Sequence, residues 1–146
     1  MTSSMTNDLV QKLVEAYRTG DEQLLSDMIH DDIDWEIYGP EVYMRFEGPL
    51  RGKLPVLKLL AEATTLYTLK KHGNVTRIIE ADRAALISQV VYEQRSTKRT
   101  ISFRRASFLR FHQNLLIELR TFADTFDLVE QVLGVWIDIP IAPSTG

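Results

Sequence analysis

Four stretches rich in β-branched and aromatic residues, at 71–80, 84–95, 100–111 and 115–123, are separated only by Ala81-Asp82-Arg83, residues 96–99 and His112-Gln113-Asn114. A parallel crossover needs a dozen or more residues, so connections this short force each strand to turn back on the one before it. The second half of the chain is therefore predicted to be an antiparallel meander. Its strands carry apolar residues on both parities, for example Leu115, Ile117 and Leu119 beside Leu116 and Phe122. Side chains alternate between faces with period two, so both faces of this sheet need cover. A helical layer supplies one cover, and a second subunit packed on the outer sheet face is the expected other.

The first half supplies the helices. Leu9, Val10, Leu13, Ala16 and Tyr17 recur at helical spacing after a cap at Thr6 or Asn7, and Gly20 ends the pattern. Asp21 can cap a shorter helix with Leu24, Leu25, Met28 and Ile29 on its apolar stripe. Ile33, Trp35 and Ile37 then alternate with Asp34 and Glu36, which predicts a strand with one buried face, stopped by Gly39 and Pro40. Residues 41–52 are irregular but carry Tyr43, Met44 and Phe46, so this loop is expected to line or cover a cavity. A third helix, with Pro55 in its first turn and Val56, Leu59, Leu60 and Ala63 inward, is over by Tyr67. A last helix spans Thr125–Leu133 and closes at Gly134. This order implies an α+β fold, with helices packed on the concave face of a curved antiparallel sheet. One domain covers 1–146, with residues 1–6 and 135–146 as tails; Trp136, Ile137 and Ile139 make the second tail apolar enough to pack across a dimer.

Composition narrows the function classes. At 146 residues, 45% hydrophobic and 25% charged, the chain is an ordinary globular domain large enough to enclose a pocket. A net charge of -3 argues against a dedicated nucleic-acid binder. The absence of cysteine removes disulfides, thiol nucleophiles and Cys-ligated zinc, and fits a cytoplasmic location. MTSSMTND lacks the apolar core of a signal peptide, and no run approaches the about 20 apolar residues of a membrane span. His30, His72 and His112 are scattered without ligand spacing, so no metal site is expected.

The stretch ELRTFADTFD holds the main chemical candidates. Glu118, Arg120, Phe122 and Asp124 share one strand face; if that face looks inward, a guanidinium stands beside a carboxylate at a pocket wall. Asp124 is equally well placed as the N-cap of the last helix, a role that needs no catalysis. Trp35, Tyr38, Tyr43, Phe46 and Phe122 can form an aromatic wall for a flat apolar ligand, or plain core. Arg95, Lys98, Arg99, Arg104, Arg105 and Arg110 form a basic run that either binds an anion or lies on a solvated or subunit-facing surface. Arg104 and Arg105 must point to opposite faces, so the run cannot be one continuous patch.

YRTGDEQLLSDMIHDDIDWEIYGP, GPLRGKLPVL and FLRFHQNLLIELRTFADTFDLVEQ, in that order, resemble the NTF2-like superfamily in its SnoaL-like branch, which includes ketosteroid isomerases, limonene epoxide hydrolase and polyketide cyclases. The resemblance implies an NTF2-like cone, a homodimer, and a pocket for a small apolar or aromatic ligand lined by Leu13, Tyr17, Trp35, Ile37, Tyr43, Phe46, Ser107 and Phe122. It implies general acid/base chemistry without a cofactor, or a non-catalytic binding or dimerisation module of the same fold. The ketosteroid isomerase base falls on Ile37, its tyrosine on Leu13 and its second aspartate on Ser107, so that machinery is absent. In the cyclases a pocket aspartate is the acid/base, and Asp124 matches it. The epoxide hydrolase also has its aspartate at Asp124, but its Arg-x-Asp corresponds to Glu93-Gln94-Arg95 with the charges reversed. The catalytic set expected is Asp124, which the resemblance supplies, with Arg120 as its orienter or an anion-stabiliser and Glu93 as a candidate second carboxylate.

Overall fold

The computed structural model describes residues 1–39 and 49–136; Tyr43 and Phe46, and most of the 135–146 tail, lie outside the described residues. The elements in chain order are α1 (Ser3–Thr19), α2 (Glu22–Met28), β1 (Ile29–Tyr38), β2 (Leu50–Arg51), α3 (Lys53–Leu66), β3 (Tyr67–Glu80), β4 (Arg83–Gln94), β5 (Thr100–His112), β6 (Leu115–Ala123) and α4 (Thr125–Leu133).

Capping explains where the helices begin and end. Thr2 accepts a hydrogen bond from the Met5 amide at 3.1 Å, so α1 starts at Ser3 and residues 1–6 are not a tail. Thr6, expected as the cap, is instead fully buried, and its hydroxyl donates to the Ala81 carbonyl in the β3-β4 turn. Gly20, at φ 70°, takes the left-handed conformation that closes the helix without a Cβ penalty. Asp21 caps α2 through the Leu24 amide at 3.0 Å, as its position predicts. The α3 helix ends at Leu66, and Tyr67 opens β3 directly, four residues before the predicted strand start at Lys71.

The sheet order is β2-β1-β6-β5-β4-β3. Strands β3 to β6 form the predicted antiparallel meander, with left-handed turn residues at Ala81, Lys98, Gln113 and Asn114. The β1 strand, however, pairs parallel to β6, so the sheet is mixed rather than wholly antiparallel. The chain between β1 and β6 crosses to the far edge through α3 and returns by the meander, a connection long enough to permit either direction.

Alternation sorts the side chains into two faces. On β4, Ala84, Leu86, Ser88, Val90 and Tyr92 are buried, whereas Ile87 between them is 54% exposed. On β5 the buried set is Ile101, Phe103, Leu109 and Phe111. The helices cover this concave side in two clusters. Val10, Val14, Ile33 and Val56 pack on Leu86, Leu109, Phe111, Leu116 and Leu119. Leu128 and Val132 of α4 pack on Tyr67, Val90, Tyr92, Ile101 and Phe103.

Phe111 is fully buried at the centre of the first cluster. Phe111→Ala is expected to lower unfolding free energy by about 3–5 kcal/mol. Leu54→Ala, at a site 79% exposed, should stay within about 0.5 kcal/mol of the parent. Urea titration followed by circular dichroism measures both.

Candidate functional site

The helices do not fill the cone. A cavity of about 640 Å³ remains, lined by members of both clusters, a volume inside the range of small-molecule sites, about 300–1,000 Å³. Leu13, Ile37, Leu57, Leu60 and Leu119 give it apolar walls. Polar groups enter at few places, each set by strand phase.

Arg105 follows Phe103 and precedes Leu109 in the inward phase of β5, and Tyr92 follows Val90 in the inward phase of β4. Tyr17 reaches the same point from α1. The Arg105 Nη1 donates to the Tyr17 hydroxyl at 3.2 Å and to the Tyr92 hydroxyl at 3.4 Å. The two hydroxyls also hydrogen bond to each other. The guanidinium carbon lies 4.7 Å from the centre of the Tyr17 ring, within cation–π range. His72 meets the same ring edge-on at 5.3 Å. It is 8% exposed, and its Nδ1 is buried without a hydrogen-bond partner among the described residues. Burial, and then the charges of Arg105 and Arg18, push its pKa down to about 4, so the imidazole is neutral at physiological pH. Ser88 stands opposite Arg105 in the β4-β5 register and is 4% exposed. Ser107 and Thr121 join hydroxyls at 3.0 Å on the adjoining wall. One hydroxyl of the pair donates to the other, so the site can present one tyrosine O–H and a cation to a developing negative charge, beside an unprotonated imidazole nitrogen.

Leu13, Tyr17, Trp35, Ile37 and Ser107 line this cavity. Among the described residues, Arg120, Phe122, Asp124 and Glu93 do not. Arg120 and Phe122 share a strand face with Glu118, as their spacing requires, but that face is convex. Phe122 is 43% exposed and stacks on Tyr38 at 4.6 Å. Arg120 donates to the Asp34 carboxylate at 2.9 Å and pairs with Glu36 at 3.4 Å, an arrangement that raises its pKa chiefly through the Asp34 hydrogen bond. Asp124 is an exposed N-cap that accepts from the Asp127 amide at 3.2 Å. Glu93 is in the outward phase of β4, with Lys98 at 4.0 Å.

Of the basic run, Arg95 and Arg105 line the cavity. Arg110 pairs with Glu118 at 3.3 Å, and Arg99 donates to the Val132 carbonyl at 3.0 Å. His72, Tyr92, Arg105 and Ser88 were not singled out as pocket residues from the sequence. For Arg105 a signal existed: it shares parity with Phe103 and Leu109, which mark the inward phase. Among the described residues no group of three or more His, Cys, Asp or Glu is arranged to hold a metal ion, and no helix is long and apolar enough to cross a membrane.

No family model matches the sequence, and no curated protein matches it significantly. Solved structures do. A candidate isomerase from Rhodopseudomonas palustris superimposes with a TM-score of 0.76 at 34% identity, over 86% of this chain and 93% of that one. An NTF2-like protein from Burkholderia xenovorans gives 0.77 at 20% identity, over 90% and 98% of the two chains. A candidate polyketide cyclase from Pseudomonas putida gives 0.77 at 17% identity with the same coverage, 90% and 98%. The identity to the first and the shared cone of all three agree with the motif order in the sequence: the chain belongs to the NTF2-like superfamily.

Proposed function

We propose that this is a cofactor-independent enzyme, of isomerase, cyclase or hydratase type, that moves a proton on an apolar carbonyl or ring compound. The observation that carries the reading is the convergence of Tyr17, Tyr92 and Arg105 with a neutral His72 inside an otherwise apolar cavity. In this scheme the unprotonated nitrogen of His72 takes the proton α to a carbonyl. The C–H electron pair moves into the new C=C bond, and the carbonyl π pair moves onto oxygen. Arg105 and the tyrosine O–H that is not donated within the Tyr17–Tyr92 pair receive that oxyanion. The imidazolium then returns its proton to another carbon; alternatively the enolate carbon bonds to a second carbonyl carbon of the same molecule, whose π pair moves onto its oxygen and takes up the imidazolium proton. A base with a pKa of about 4 is weak in the empty site, chiefly through burial and then through the Arg105 charge, and negative charge developing beside Arg105 offsets that second contribution. Basicity therefore rises as the transition state forms.

A second reading, a binding module without chemistry, draws support from the positions of Asp124 and Glu93, the carboxylates expected to act, off the cavity wall. The two are separated by α-proton exchange of 2-tetralone in D2O, followed by NMR. Exchange above the buffer rate is expected, falling about 100-fold in His72→Gln and at least about 10-fold in Tyr17→Phe. Asp124→Asn, which keeps the cap, should exchange at the parent rate. Binding of the ketone without exchange would leave the module reading standing alone.

The homodimer belongs to the same proposal. Cross-strand register sets Ile78, Ala85 and Phe108 in one row of the convex face, and Ile87, Ala106, Phe122 and Tyr38 in the next. Ile78, Ile87, Phe108 and Phe122 are 43–72% exposed there, and a two-fold partner lays such a patch on itself. Phe108→Glu is expected to shift sedimentation from dimer to monomer; a monomeric parent would refute the assembly.

The state of His72 also sets a pH dependence. Between its unfolded value of 6.5 and its folded value of about 4, the unfolded chain takes up a proton that the folded chain refuses. Stability is therefore retained above 6.5, falls as pH drops through that window and levels off below it. The loss between pH 7 and pH 5 is on the order of 2 kcal/mol. Urea midpoints at the two pH values should show this loss in the parent and not in His72→Gln.

A further inference from the structure

We infer that the compound held in the cavity carries a carboxylate, seated on Arg105, with its apolar or aromatic body against Leu13, Trp35, Ile37 and Leu119. The inference rests on the reading of this cavity as the ligand site and adds the charge of what enters it.

Three observations converge on it. The first is an imbalance of charge. Arg18, Arg95 and Arg105 all line the cavity, against Glu22 as the one acidic lining residue among those described. Glu22, Arg18 and Arg95 are exposed at the rim, and Arg105 is the cation inside.

The second is that Arg105 is left without a counter-charge. Among the described residues no carboxylate lies within ion-pair distance of it, whereas Arg110 and Arg120 on the convex face both have one, at 3.3 and 2.9 Å. A partly buried guanidinium held only by neutral hydroxyls has given up hydration that an anion can restore.

The third is the geometry of what remains free. Both hydrogen bonds of Arg105 among the described residues leave from Nη1. The Nη2–Nε edge keeps two parallel donors, the fork that a carboxylate meets bidentately. One interior cation matches one negative charge, which favours a carboxylate over a phosphate dianion.

The test is calorimetric titration with two probes of nearly equal shape, 2-naphthylacetate and 2-naphthylacetamide, at low salt and neutral pH. The parent protein is expected to bind the acid at least about 10-fold more tightly than the amide. Arg105→Gln should erase that preference by weakening the acid alone. Arg105→Lys should retain part of it, since the charge survives and the fork does not. Arg104→Gln, the neighbouring arginine on the opposite face, should leave it intact. Thermal melting establishes that each variant is folded; should Arg105→Gln not fold, the parent's acid-to-amide ratio and Arg105→Lys decide.

Equal affinity for acid and amide in the parent, or an unchanged preference in a folded Arg105→Gln, overturns the carboxylate. In that case binding of the amide together with exchange of 2-tetralone leaves the proton-transfer reading in place. Failure of the cavity to bind acid, amide or ketone removes both.

Discussion

A single extra residue in β6 decides which side chains of the central strand look into the cone. Opposite β5, Arg110 pairs with Glu118 and Phe111 with Leu116, so Ile117 has no partner. Such a bulge reverses the phase of everything beyond it. Leu116 is buried before the bulge, and Leu119 and Thr121 are buried after it. With the phase reversed, Arg120 and Phe122 are delivered to the convex face and Thr121 to the cavity beside Ser107. The β1 strand follows suit, because Trp35 and Ile37 pair in parallel with Leu119 and Thr121. The β1 and β6 part of the pocket wall therefore rests on this irregularity together with the register shift between Ile29 and Asp34 of β1.

That irregularity marks the limit of what the sequence makes legible. Strand positions, short turns, the caps at Asp21 and Asp124, the last helix and the α+β order all follow from local rules, and the structure has them. The parallel β1-β6 pair does not follow, because no local rule acts across a connection of that length. Facing fails at β6 for a related reason. Its apolar residues on both parities reflect a phase change within one strand as much as two covered faces, and a bulge at an isoleucine has no glycine to announce it. On β4 and β5, where no bulge intervenes over the cavity, parity with Val90, Phe103 and Leu109 is enough to place Tyr92 and Arg105 inward. What remains beyond local reading is that β3 brings His72 to the ring of a tyrosine on α1.

The contrast between two arginines carries the chemical argument. Arg120 lies between Asp34 and Glu36, with Arg51 also on Asp34 at 3.3 Å. Its charge is already answered, and it fixes β1 to β6 on the outside of the sheet. Arg105, on the next strand and the other face, has neutral partners through one nitrogen alone. Charges left unanswered inside proteins are costly, and they persist where a ligand or a reaction supplies the missing partner. Burial first, and then this same charge, lower the pKa of His72, so the cation without a counter-charge also works against protonation of the neighbouring imidazole.

These two effects are one coupling seen from either end. An anionic group arriving at Arg105 cancels part of the field at His72 and makes that imidazole a stronger base only when the site is occupied. Reciprocally, protonating His72 adds positive charge that strengthens the hold on the anion. On the proposed scheme His72 is the weaker base in the empty cavity and the stronger one when an anion lies against Arg105. Placing the reacting carbon near His72 and its oxygen near Arg105 would make one electrostatic arrangement serve both binding and proton transfer, with Tyr17, in contact with both groups, as the fixed point between them.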